Sequence, residues 1–227
     1  MRYLLAFPAA AMLVCSAAAG SASRSVDAEI AAKLKPGEQV EARIDADFNG
    51  DGESDAAWIA AGPDRRTVHV HFVLRKGADL RHVPAGSFAL PSDRLGPADL
   101  SVNKDVLVIK DLTGGTTALA ATYRFRGEAA AARMRLIGLD ARLYSRTFAH
   151  EGARMSWNLL TGDLITARLE LTGSGDDAAY REAGTKRVRR PIAVIDMEST
   201  PDAEAELAAM LPSTGQFQQV SSAAKRE

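Results

Sequence analysis

Residues 47 to 61 read Asp47-Phe48-Asn49-Gly50-Asp51-Gly52-Glu53-Ser54-Asp55-Ala56-Ala57-Trp58-Ile59-Ala60-Ala61. Oxygen-bearing side chains stand at every second position up to Asp55, and a short apolar run follows, closed by Gly62-Pro63-Asp64. A calcium ion takes six to eight hard oxygen ligands from a tightly curled chain, and alternation supplies them. Asp47, Asn49 and Asp51 take the first, third and fifth positions, the Glu53 carbonyl the seventh, and Asp55 the ninth, directly or through water. Gly52 stands at the sharp turn and Gly50 gives further freedom to wrap. A helix-loop-helix site needs a bidentate glutamate at the twelfth position, where this chain has Trp58. The apolar run after the loop is too short for the second helix and reads as a buried strand, so the loop joins strands. The alternative is a set of Asx turns in which Asp and Asn cap their own backbone without metal; clustered carboxylates then repel one another. One oxygen cage without paired helices has no moving part to drive, so a single ion with a structural role is expected.

Alternation continues outward from the loop. Gln39-Val40-Glu41-Ala42-Arg43-Ile44 reads as a strand entering it. Before it, Ser25 to Lys35 has a cap candidate, early acids and late lysines, and predicts a short amphipathic helix ended by Pro36-Gly37. Beyond the loop, Thr67 to Arg75 alternates as a strand with Val68, Val70 and Phe72 on a core face. Pro84, Gly86, Pro91, Gly96 and Pro97 predict an irregular connection from Arg81 to Leu100. Strands follow over 105–110, 120–126, 133–144, 154–160 and 164–171, with turns at Thr113-Gly114-Gly115 and Thr161-Gly162-Asp163. The basic run Lys186 to Arg190 reads as a solvated loop, and a last helix is expected from Thr200 as cap, with Pro201 in its first turn, to Leu211. The fold class is therefore mainly β: an antiparallel meander, as a sandwich or partial propeller-like sheets, with short N- and C-terminal helices.

Met1-Arg2-Tyr3, the apolar Leu4 to Val14 and the small residues through Ala22 form a secretory signal peptide, too short in its apolar part for a membrane anchor. The expected organisation is a signal peptide over 1–22, one β-rich domain over 23–212 and a flexible tail over 213–227. Leu13 and Val14 fit poorly before a lipidated cysteine, so Cys15 leaves with the leader and no disulfide remains. With 28 basic against 29 acidic residues, the net charge of −1 argues against nucleic acid or an anionic membrane as partner.

The segment from Ile44 to Ile59 resembles one FG-GAP or VCBS repeat of the integrin-like type, placing Asp47, Asn49, Asp51 and Asp55 on that family's ligand positions. No second loop is present, as a complete propeller would need. The order of loop, strand pair, Tyr123-x-Phe125, Met134-x-Leu136-Ile137-Gly138 and Trp157 to Gly162 is similar to that of exported bacterial proteins of unassigned function. That resemblance implies one continuous antiparallel domain and brings no activity.

Catalytic signatures are missing: there is no G-x-S-x-G elbow, phosphate loop or dinucleotide fingerprint, and no catalytic residue is assigned. His69 and His71 share a strand face that reads as exposed, without a third metal ligand nearby, while His82 and His150 lie in loop-like sequence. Tyr123, Tyr144 and Trp157 are candidates for a sugar-stacking surface, against the commoner role of packing a core. The expectation is a periplasmic or secreted calcium-binding module that engages an envelope protein or glycan. The alternative is an extracellular hydrolase or enzyme accessory subunit, which a deep pocket with converging polar groups would favour.

Overall fold

The computed structural model describes residues 26–210. The expected leader, the Ser25 cap candidate, Cys15 and the expected tail lie outside them. Two antiparallel sheets form the body. The first holds β1 (Gln39–Ala46), β2 (Asp55–Ala61), β3 (Arg66–Lys76) and β4 (Asp79–Leu90) in that order. The second runs β11 (Ala179–Arg189), β10 (Asp163–Thr172), β9 (Gly152–Asn158), β8 (Arg133–Ser145), β7 (Thr117–Glu128), β6 (Val106–Gly114), β5 (Asp99–Asn103). Within each sheet, strands consecutive in sequence lie side by side, as a meander requires, and the chain passes from the first sheet to the second between β4 and β5. The exception is β12 (Ile195–Asp196), which pairs with β8 at Leu136 and Arg135, beyond the point where β9 leaves it.

The sheets pack face to face as a sandwich around one core. Phe48, Ile59, Val68, Val70 and Phe72 come from the first side, and Leu107, Ile109, Phe125, Leu136, Leu139 and Met155 from the second. Strand β2 is buried at every residue because both its faces are covered. Ala57 and Ile59 face the main core, whereas Ala56, Trp58 and Ala60 form a second cluster with Ile30 of helix α1 (Val26–Lys33). The small alanines leave room for the helix to approach.

That helix corrects the expectation for the histidines. His71 is buried and His69 half-buried, stacked on Trp58 at 5.2 Å for His69 and edge-on at 4.9 Å for His71. The interval 81–100 is also more regular than its breakers suggest, since β4 runs through its first half to Leu90 and β5 begins at Asp99. Pro84 is tolerated because β4 is an edge strand and because a bulge between Val70 and His71 interrupts the pairing there. Gly86 is required by close approach: a Cβ would lie 2.8 Å from Met197, which roofs the strand.

The basic run, up to Arg189, forms the last four residues of β11 rather than a loop. Lys186, Arg187 and Arg189 pair with Thr166, Ile165 and Asp163 on the exposed edge, where cationic side chains discourage further strand addition. The last helix, α2 (Ala203–Met210), begins later than expected, because Asp202 Oδ1, not Thr200, accepts a first-turn N–H, that of Ala205, at 2.7 Å. Among the described residues no helix is long and apolar enough to cross a membrane.

Candidate metal centre

The connection from Asp47 to Ser54 is curled by its own side chains. Asp47 Oδ1 accepts the N–H groups of Asn49 at 3.2 Å and Gly50 at 2.6 Å, and its Oδ2 accepts Gly52 N–H at 2.9 Å. Asn49 Oδ1 accepts Asp51 N–H, and Asp51 Oδ1 accepts Glu53 N–H, each at 2.9 Å. Gly50 and Gly52 have φ of +77° and +87°, the left-handed conformations that their places in the curl demand. The Asx turns weighed in the sequence are thus present, and they hold the first, third and fifth positions on the inside of one bend.

Asp55 closes the curl from below. It is fully buried; its Oδ2 accepts Phe48 N–H at 2.9 Å and its Oδ1 accepts Val73 N–H at 2.8 Å, so one carboxylate ties the loop to β3. Burial, with a further push from the charges of Asp51 and Asp47, raises its carboxyl to about 6, against the lowering effect of those two N–H groups. Burial also tends to raise Asp47, but the N–H groups of Gly52, Gly50 and Asn49 outweigh it and hold its carboxyl below the usual range. The Glu53 side chain turns away to Arg75 at 2.5 Å, leaving the residue to contribute through its backbone, as its position in the motif asks.

Two contacts dock this loop on the second sheet. Phe48, an apolar residue in a polar loop, is fully buried in the main core, and its carbonyl accepts Gly127 N–H from β7 at 3.1 Å. A Cβ on Gly127 would lie 2.5 Å from the Phe48 oxygen and 2.9 Å from the Phe72 ring, so glycine permits the approach. The anchoring phenylalanine was legible in principle, as the one large apolar side chain among oxygen donors.

The donor set suits calcium: hard carboxylate, carboxamide and carbonyl oxygens, with no sulfur or imidazole. Asn49 Nδ2 is buried without a hydrogen-bond partner, a polar atom that the loop alone does not satisfy. Among the described residues, no three His, Cys, Asp or Glu side chains converge on a common point, the loop carboxylates being turned to backbone N–H groups. The histidines form no such group either. Tyr123 and Trp157 are buried in the core, so they do not form a stacking surface with Tyr144.

Comparison with protein-family models, with curated proteins and with solved structures finds no match to this chain.

Proposed function

We propose that this chain is an exported calcium-binding β module, with one structural ion, that acts by engaging an envelope protein or glycan. Asp47, Asn49 and Asp51 would hold the ion with the Glu53 carbonyl, and Asp55 would complete the cage directly or through water. The observation that carries the proposal is the anchoring of the loop: it bends on its own oxygens and is pinned by Phe48 and Asp55 to both sheets. An ion that neutralises the clustered carboxylates would therefore stiffen the joint of the sandwich rather than move a lever. The exported setting rests on the leader-like residues 1–22, and the FG-GAP or VCBS likeness of the loop agrees with it.

Thermal unfolding of the mature protein in calcium and in chelator, beside Asp51→Ala, tests the proposal. A ligand bound by the folded state alone stabilises by mass action, by about 2.7 kcal/mol at a hundredfold excess over Kd. The expected result is a rise in Tm with calcium that Asp51→Ala loses. Identical curves for all samples would overturn the metal assignment.

A further inference from the structure

The turn between β8 and β9, with the start of β11, builds a second feature far from the calcium loop in the chain. Arg142 and Tyr144 alternate along β8 and so share a sheet face. The ring of Tyr180 stands edge-on to Tyr144 at 6.4 Å and tilted against Phe148 at 5.4 Å. The Arg142 guanidinium lies over both tyrosine rings, 5.1 Å from one centroid and 5.8 Å from the other. With Arg146 these side chains line an open hollow of about 360 Å³, a size that suits a small ligand.

The hollow is built on a fixed frame. Buried Ser145 accepts the N–H groups of Thr147 at 3.3 Å and Ala149 at 2.9 Å on its Oγ, and donates its own N–H to the Tyr180 hydroxyl at 2.9 Å. That hydroxyl donates to the His150 carbonyl at 2.7 Å, and His150 Nε2 meets Thr117 Oγ1 at 2.8 Å. On this frame Phe148 holds a φ of +54°, a strained conformation for a bulky residue, yet leaves 40% of its surface exposed. Beyond its contact with Tyr180, the Phe148 ring is left open to the hollow.

The charges point the same way. Most arginines on this sheet face a carboxylate: Arg124 with Asp140, Arg154 with Glu182, Arg181 with Glu170, Arg187 with Asp163. Among the described residues Arg142 and Arg146 are in no ion pair; Glu182, which lies within electrostatic reach of Arg142, is committed to Arg154. The aromatic rings steady the Arg142 guanidinium without using its N–H donors.

We infer that the hollow binds a uronate-bearing saccharide. The C–H face of the pyranose packs on the exposed ring of Phe148, whose π face carries negative charge, while its carboxylate accepts N–H bonds from Arg142, held over the tyrosine rings, and from Arg146. A neutral sugar leaves the guanidinium groups unanswered. An acidic peptide in extended form would run along the free edge of β11, whereas Arg142 and Arg146 come from β8 and the turn after it rather than from that edge. The inference rests on the reading of the chain as an exported binding module for its setting, and it requires no calcium.

Calorimetric titration of the protein with tetrasaccharides containing glucuronate, galacturonate or mannuronate tests it, with chitotetraose and pentaglutamate as controls, each in calcium and in chelator. The expected result is saturable binding of at least one uronate probe, unaffected by chelator while the chain stays folded, and absent with both controls. Arg142→Gln and Phe148→Ala alter exposed side chains and are expected to leave Tm unchanged while weakening binding at least about tenfold. Arg126→Gln is expected to leave it unchanged, since Arg126 lies at the opposite end of β7 from Ala118, the partner of Tyr144. No uronate binding, equal binding of chitotetraose, preference for pentaglutamate, or indifference to both substitutions would each overturn the inference. Asp51→Ala separates the two readings: loss of the calcium response with intact saccharide binding means that the metal and the hollow act independently.

Discussion

Gly127 and Phe48 show how much one position can carry. The loop meets the second sheet where β7 has no side chain, and the Phe48 carbonyl occupies the space a Cβ would fill, at 2.5 Å. Gly127→Ala preserves the N–H donor and removes only the room, so its effect isolates the docking of the loop from its hydrogen bond. The expected outcome is a loss of about 1–3 kcal/mol in urea unfolding, the usual cost of forcing extra volume into a packed site. Gly50 and Gly52 were legible from sequence, because an oxygen cage tells directly where the backbone must turn left-handed. Gly127 was not, because its partner lies far away in the chain.

At the scale of elements, α1 decides the chemistry of β3. His71 lies between Trp58, the helix and its sheet neighbours; Lys33 and Glu29 of the helix, His69 of its own strand and His82 of β4 are the charged or titratable groups that act on it. Burial, assisted by Lys33, lowers its imidazole to about 4. An unfolded chain binds that proton near pH 6.5, so between pH 6.5 and 4 the unfolded state holds a proton that the folded state refuses. Stability therefore falls as pH drops through this window. Asp55 acts in the opposite sense, since a carboxyl raised to about 6 takes its proton first in the folded state. Comparing wild type with His71→Gln removes the Asp55 contribution from the difference. The expected result is that acidification from pH 7 to pH 4.5 costs the wild type about 2 kcal/mol more than the variant, measured by urea unfolding. Two elements resisted sequence reading for related reasons. Pro84 suits the edge strand β4 and its bulge, and the lysine and arginines of β11 suit an exposed edge, but no local pattern says which strand will be an edge.

The whole molecule is held across its layers by a buried ion network as well as by the core. Arg66 of β3 donates to Glu41 of β1 at 2.6 Å and to both oxygens of Asp111 of β6 at 2.9 and 3.0 Å, so one guanidinium joins the two sheets. Glu41 is the extra residue of a bulge between Val40 and Ala42, which turns its side chain inward, where it also accepts Ala98 N–H and pairs with Arg94. Burial works against the charge on Arg66, but the hydrogen bonds and charges of Glu41 and Asp111 outweigh it and push the guanidinium further up. Arg66→Met leaves two buried carboxylates without their common partner, and a loss of about 3–5 kcal/mol in urea unfolding is the expected outcome. By itself the sequence determined the strands whose apolar and polar residues alternate, their antiparallel succession, the curl of the 47–55 loop and the helix ahead of β1. Each depends on residues within a few positions, through backbone preference and side-chain period. Only the tertiary structure decided which strand faces are covered, where Phe48 docks, which arginines on the second sheet lack a carboxylate, and that Glu41 points inward. Those depend on partners such as Glu41 and Arg66, 25 residues apart, and Arg66 and Asp111, 45 apart, whose meeting is set by the stacking of two sheets and leaves no mark on the local pattern.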